Sequence, residues 1–435
     1  MKTGMHVFVL GLDDHNRQLL ERLPGADSYH FHALLDYESL RQVDTFPIDA
    51  MLERCRRRLE SHRGSVDAIV TLLDFPAAEM VPILTREYGL PGPSLEAVLK
   101  ADHKYWSRLL QREVAAGHVP AFAAFDASDE AALSRLIEAG LEYPFWIKPF
   151  NAFRSLLAFR IHKALDFELA QSQLCEGLPR LSEPLAALLR HATLPAEIAA
   201  LPPSACLAEA QLTGRLCTLE GYVHGGRPVV YGVVDSIREP NRASFARYQY
   251  PSRLPRRVRL RMGRIAGAVI RRIGLNDCPF NIEMFYDEAA DHISILEINP
   301  RLSQSHCALF EMVDGTSHHK VMLEVALGHG VQMPKRAGPC RCAAKFFLRA
   351  HGEDAQVSCV PDPQRIAEIE RAIPHTEIIL EVREGMQLSQ LRNQDSYSFE
   401  LGEVYIGADN QRQLLRRFAR CEKMLDIRLS PLQGD

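Results

Sequence analysis

Residues 280–301 read FNIEMFYDEAADHISILEINPR, and this stretch limits what the chain can fold into more than any other. Two apolar runs, 280–286 and 293–298, flank the polar segment DEAAD, the pattern of two strands joined by a hairpin turn. A turn centred on Ala290 sets Glu283 and Glu297 directly across from each other. Opposed side chains in an antiparallel pair stand about 4.5–5.5 Å apart at Cβ, where two carboxylates weaken the sheet unless something positive lies between them. A hard divalent cation with oxygen ligands meets that need, and magnesium held by one or two carboxylates and substrate phosphates is its usual form. Period-two alternation puts Glu297, Asn299 and Arg301 on one face, with Leu296 and Ile298 on the other, until Pro300 ends the strand. Two opposed glutamates alone are equally well explained as a solvent-facing polar stripe. The series E-x-N-x-R on one strand, with a glutamate opposite, favours a cation site.

A chain of 435 residues is too long for one ordinary core and suggests two to four domains. Its 46% hydrophobic and 24% charged residues are typical of a folded globular protein, so disorder is not the default. A net charge of -4 argues against a general nucleic-acid binder. The first apolar run is too short for a secretory signal and is followed at once by acids. Nothing approaches the roughly 20 apolar residues of a membrane span. Ten cysteines without a framework spacing suggest reduced thiols and a cytoplasmic protein. Cys340 and Cys342 form a lone C-x-C without a second pair, which disfavours structural zinc.

Residues 1–90 read as an N-terminal α/β domain of Rossmann-like layout. Strands at 6–10, 31–35 and 68–73 alternate with helical patterns, one of them at 48–59. The turn GLDDHN lacks G-x-G-x-x-G and places acids where a pyrophosphate would sit, so this is no dinucleotide site. Pro91, Gly92 and Pro93 mark a boundary, and Ser94 is a candidate N-cap for a helix, whole or broken, that carries Lys100 and Lys104 on one face. By themselves these lysines read as a solvated face. Lys148 closes the apolar strand of YPFWIKPF, and an ammonium there needs an anion such as a nucleotide phosphate, unless it snorkels at the strand end. The next loop, NAFRSLLAF, offers Arg154 and Ser155 as donors.

Further on, residues 206–212, 216–223 and 229–234 suggest an antiparallel meander bearing Glu209. Residues 235–255 read as an arginine-rich loop suited to substrate contacts, and 253–272 as an amphipathic helix with a solvated basic face. Residues 302–328 suggest a loop and a helix ending at Gly328; His306, His318 and His319 in it read more simply as surface or core histidines than as ligands. The last hundred residues alternate strand and helix, at 343–348, 365–372, 377–382, 401–407 and 411–425, as a small α+β domain would.

Taken in order, Lys104, Lys148 before Pro149, Glu209, and the hairpin of Glu283 with Glu297, Asn299 and Arg301 resemble the ATP-grasp superfamily. The match runs through residues 91–330; the flanking segments resemble the biotin-carboxylase-like and L-amino-acid-ligase branch. The resemblance implies an α/β and α+β architecture: a pre-ATP-grasp domain at 1–90, an ATP-grasp domain at 91–334 with a lid at about 120–205, and a small C-terminal α+β domain at 335–435. It implies ATP and Mg2+, with Mn2+ as a substitute, as cofactors. Lys104 and Lys148 would contact phosphates, with Arg154 and Ser155 from the loop. Glu209 would lie at the adenine edge beside the backbone of Gln211 and Leu212. Glu283, Glu297 and Asn299 would hold the metal, and Arg301 would steady the transferring phosphoryl group. Two departures stand out: the loop after Lys148 has no glycine, and the usual ribose-binding acid position is Leu216, leaving Glu220 for that role.

The function so implied is an ATP-dependent carboxylate–amine ligase acting through an acyl phosphate on small-molecule acids and amines. The alternatives are a bicarbonate-activating, carboxylase-like enzyme and an ATP-binding protein without turnover. Neither nucleic acid nor membrane is expected as a partner, and a homodimer is suggested by the resemblance alone.

Overall fold

Val7 to Leu10 are wholly apolar, as suits a strand covered on both faces, and they lie at the centre of a parallel sheet. Strand β1 (Met5–Leu12) pairs with β2 (Tyr29–Asp36) and β3 (Ala68–Thr71), in the order β2-β1-β3. The helices Asp14–Glu21 and Ile48–Ser61 follow the first two strands, the former capped by the Asp13 carboxylate on the Asn16 N–H. The expected α/β layer is therefore present. The computed structural model describes residues 4–41, 45–151, 156–239, 244–391, 394 and 398–432. They fall into two units: Met1–Gly232 with Leu254–Gln304 and His319–Gln332, and Val233–Arg253 with Ser305–His318 and Met333–Asp435.

Still in the first unit, Ser94 caps the helix Leu95–Asp102, as its sequence position suggests. The helical pattern then breaks at His103, whose ring Nδ1 accepts from the Trp106 N–H and starts a second helix, Lys104–Ala115. Four antiparallel strands follow: β4 (Phe122–Asp126), β5 (Phe145–Pro149), β6 (Phe159–Ile161) and β7 (Ala205–Ala210), in the order β4-β7-β5-β6. Their core is Phe125, Phe145, Ile147, Phe167 and Leu174.

The third sheet of this unit has the order β12-β11-β8-β9, from β8 (Arg215–His224), β9 (Arg227–Arg238), β11 (Cys278–Asp287) and β12 (His292–Asn299). The meander expected from residue 206 onwards is thus corrected: β7 pairs with β4 and β5, and only β8 and β9 are neighbours. The divergence occurs at Gly214, where φ is +109° and a Cβ would stand 2.4 Å from the Tyr286 carbonyl oxygen. The helix Arg256–Ile273 buries Val258, Met262, Ala266 and Val269, leaving most of its arginines towards water, as its amphipathic pattern predicts.

In the second unit the end of β9 pairs with β10 (Phe245–Tyr250), followed by β13 (Cys342–Ala350), β16 (Phe399–Ala408) and β15 (Thr376–Leu380). β14 (Ala355–Cys359) pairs with β17 (Arg428–Pro431). The loop expected over 235–255 is therefore largely a hairpin. Its polar character has a local sink: the buried Asp235 carboxylate accepts from Ser252 Oγ at 2.5 Å and from the Arg253 N–H at 2.8 Å. The single helix expected before Gly328 is two, Cys307–Asp314 and His319–Ala326, the first stopped by Gly315 at φ +85°. The strands and helices expected over 343–425 are all present.

Gly214→Ala should lower the unfolding free energy by about 1–3 kcal/mol through overpacking against Tyr286. Urea denaturation reads this as a lower midpoint at an unchanged slope; an unchanged midpoint would contradict the close approach.

Candidate active site

The opposition of Glu283 and Glu297 is real, but an irregularity in β12 produces it. Met284, Phe285, Tyr286 and Asp287 pair with Ile295, Ser294, Ile293 and His292, a ladder that if continued would set Glu283 against Leu296. A bulge at Leu296 shifts the register by one, and Glu283 meets Glu297, Ile282 meets Ile298, and Asn281 meets Asn299. The alternation expected for this strand is corrected by the same device. Ile293, Ile295 and Ile298 are buried, and Leu296, half-buried, does not share the core face with Ile298.

β8 extends these rows. Thr218 lies across from Glu283, and Glu220 across from Asn281, so two polar rows, Thr218–Glu283–Glu297 and Glu220–Asn281–Asn299, cross three strands on one face. Asn299 Nδ2 donates to Asn281 Oδ1 at 2.9 Å, and Asn281 Nδ2 donates to the Arg301 carbonyl at 3.1 Å. Glu220 is fully buried in the second row.

A bulge leaves carbonyls without ladder partners, and here one side chain takes them. Arg108, one turn into the helix Lys104–Ala115 and 2% exposed, donates from Nη1 to the Ile295 carbonyl at 2.9 Å and from Nη2 to the Leu296 carbonyl at 2.6 Å. Its Nε and Nη2 also donate to Glu209 Oε2 at 3.1 and 2.8 Å, and Nη1 to Gln111 Oε1 at 2.7 Å. All five N–H groups of the guanidinium are used.

The other Glu209 oxygen, Oε1, accepts from Lys148 Nζ at 2.5 Å. Burial alone would push the Glu209 carboxyl up, but Lys148 and Arg108 bring it down to about 2. Lys104 is placed by its own backbone: its N–H donates to the Phe150 carbonyl at 2.8 Å, two residues past Lys148. Its ammonium lies 3.8 Å from Glu297 Oε2. Lys104, Lys148, Arg108, Glu209 and Glu297 thereby line one small cleft, the two lysines sharing it with the acidic hairpin residue. His103, stacked on Phe150 at 4.5 Å, is kept neutral by burial, which pushes its pKa down to about 4.

Arg301 is held from the N-terminal α/β segment. Its Nε and Nη2 bond Asp74, which follows β3, and its Nη1 donates to the Leu302 carbonyl at 3.0 Å. Burial works against this charge, yet Asp74, Glu220 and Glu283 more than offset it and its pKa is raised. Asp102 also lines the cleft, with Glu79 fully buried behind it; both are pushed up first by burial, and Glu79 is raised well above the ordinary range, with Asp102 as its next cause. The direction of the shift favours the neutral acid at Glu79.

The structure thus brings together Lys104, Lys148, Glu209, Glu283, Glu297, Asn299 and Arg301. Gln211 and Leu212 lie just past β7, with Gln211 Oε1 accepting from Arg160 Nε at 2.7 Å. Arg154 and Ser155 fall outside the described residues. Sequence reasoning missed Arg108, Asp74, Glu79 and Asp102. Arg108 carried one readable signal, its position four residues after Lys104 between the apolar Trp106 and Leu110.

Two lysines from separate elements and the opposed acids of an antiparallel hairpin are thus gathered at one cleft. The chain has the ATP-grasp fold: residues 141–308 match the model of the ATP-grasp domain. No curated protein matches it by sequence. It is similar to the L-amino acid ligase of Bacillus licheniformis, with a TM-score of 0.73 at 14% identity over 100% of both chains. N5-carboxyaminoimidazole synthase of Aspergillus clavatus, in complex with ADP and 5-aminoimidazole ribonucleotide, aligns with a TM-score of 0.66 at 15% identity over 98% of this chain and all of that one. Biotin carboxylase of Campylobacter jejuni aligns with a TM-score of 0.62 at 15% identity, over 98% of this chain and 86% of that one.

Two predictions concern the buried charges. Arg108→Met strands Glu209 and two bulge carbonyls and should cost about 3–5 kcal/mol in denaturant unfolding; a loss under about 1 kcal/mol would contradict the network. Glu209, with a folded-state pKa below its ordinary value, adds stability that is full above about 4.3 and is lost as the pH falls towards about 2. Glu79, with its pKa raised, acts oppositely: its contribution is present in acid and lost as the pH rises. Glu79→Gln should therefore raise the melting temperature at pH 8 and change it little at pH 4. A fall at pH 8 would contradict the upward shift at Glu79.

Proposed function

We propose that this chain is an ATP-dependent carboxylate–amine ligase that joins a small acid, such as an amino acid, to an amine through an acyl phosphate, releasing ADP and phosphate. The observation that carries the reading is the direct opposition of Glu283 and Glu297, the latter sharing one cleft with Lys104 and Lys148. The donor set Glu283, Glu297 and Asn299 is all oxygen, as a hard cation requires, and fits Mg2+ or Mn2+. When bound, that ion would offset charge on the terminal phosphates of ATP.

The chain's own groups would then work by position and charge. Lys104 and Lys148 draw phosphate oxygens into the cleft, Lys148 exchanging its contact with Glu209 for the ligand while Arg108 keeps Glu209 in place. The end of β7, with Gln211 and Leu212, borders the adenine, and Glu220 remains the candidate acid for the ribose. Arg154 and Ser155 would add donors from the loop after Lys148. Arg301, oriented by Asp74, steadies the phosphoryl group in flight. A carboxylate oxygen of the acid attacks the γ-phosphorus as its bond to the ADP oxygen breaks. The amine nitrogen then attacks the acyl carbon, phosphate leaves with the bonding pair, and the amine proton passes to phosphate or solvent.

A second reading, bicarbonate as the activated acid, draws support from the likeness to biotin carboxylase. ADP release over a panel of amino acids, with and without bicarbonate, separates the two: stimulation by an acid with an amine supports the ligase, and dependence on bicarbonate without an amine supports the carboxylase. Glu297→Gln should reduce ADP release by about 10²–10³-fold with an unchanged circular dichroism spectrum. Full activity in that variant would refute the metal assignment.

A further inference from the structure

A cluster of imidazoles lies in the N-terminal α/β segment, apart from the cleft. His6 on β1 and His32 on β2 share a sheet face, since His6 pairs with His30 and Phe8 with His32 in the parallel register. His62, at the C-terminal cap of the helix Ile48–Ser61, closes over them. Ring centroids stand 5.2 Å apart for His6 and His32, 4.6 Å for His6 and His62, and 5.0 Å for His32 and His62. One ligand atom from each lies within 4.8 Å of the others.

Three features distinguish this cluster from a chance stack of rings. His62 Nε2 is shielded from solvent and has no hydrogen-bond partner among the described residues, an uncommon state for a buried ring nitrogen. Gly64 leaves the space beside the rings open: a Cβ there would stand 2.6 Å from His62 Nε2 and 3.0 Å from His6 Nε2. The loop that carries Gly64 is pinned to β1 at both hands, the Asp67 N–H donating to the His6 carbonyl at 3.0 Å and the His6 N–H to Asp67 Oδ2 at 2.7 Å. Asp67 also brings a negative charge to the cluster.

We propose that His6, His32 and His62 form a binding site for a nitrogen-preferring divalent transition metal of the zinc class, tying β1, β2 and the end of the Ile48–Ser61 helix together. Three imidazoles are a sufficient protein ligand set for such an ion, with water or the adjacent His30 completing it; a hard ion such as Mg2+ has no affinity for this set. Binding requires the ring nitrogens to rearrange, since nitrogens around one tetrahedral zinc lie roughly 3.4 Å apart at the usual Zn–N length. It replaces the 2.9 Å contact between His6 Nδ1 and His32 Nε2.

The test uses the full chain, stripped with a chelator and kept in excess magnesium so that the acidic hairpin does not compete. Zn2+ titrated calorimetrically should bind one equivalent and raise the melting temperature, and Co2+ should give the intense visible bands of a tetrahedral nitrogen site without a thiolate charge-transfer band. His32→Phe, which keeps a ring in the stack, and Gly64→Ala, which fills the space, should each abolish the Zn2+-dependent melting shift. His32→Phe should also weaken binding by more than the ~10–100-fold cost of losing a supporting partner. Unchanged Zn2+ affinity in both variants, or cobalt bands showing thiolate ligands, would overturn the proposal.

Discussion

One buried guanidinium, that of Arg108, connects the parts on which the candidate site depends. It gives partners to the two carbonyls exposed by the β12 bulge, and the bulge is what turns Glu297 towards Glu283. It also shares Glu209 with Lys148, so a lysine that would otherwise be costly to bury stands at the cleft with its charge matched. A buried ion pair of this kind is weak evidence for stability, because desolvation cancels much of the attraction. Its value here lies in position: register, lysine and carboxylate are fixed by the same five donors.

The surrounding electrostatics follow a consistent division. Carboxylates that must stay charged, Glu209 among them, have cations against them. Glu79 is buried beside Asp102, and burial followed by that neighbouring carboxylate pushes its pKa up, favouring the neutral acid. Arg301 is oriented in turn by Asp74 from the end of β3, which extends the site's support into the N-terminal α/β segment.

How much of this could be read from the sequence depended on the range of the determining contact. The acidic hairpin was legible because strand periodicity and a short turn are local, and Lys148 because an ammonium ending an apolar strand demands an anion. The true turn centre and the Leu296 bulge were not, since two compensating offsets give the same opposition of Glu283 and Glu297. Arg108 looked like one of many arginines; its partners are 101 and 187 residues away along the chain. The strand at 206–212 was found but given the wrong neighbours, because pairing with β4 and β5 is decided by the sharp turn at Gly214 rather than by its own pattern. Likewise the hairpin at 235–250 reads as a loop until Asp235 is seen to absorb its polar neighbours.

The opposed acids and the lysines are proposed to form one nucleotide and metal site. Manganese serves as the probe, since it fits the same oxygen ligands and its bound state is visible by electron paramagnetic resonance and water-proton relaxation. ATP should create a tight Mn2+ site on the native chain, and Glu283→Gln with Glu297→Gln should remove it while the fold persists. Undiminished ATP-dependent Mn2+ binding in the doubly substituted protein would contradict it.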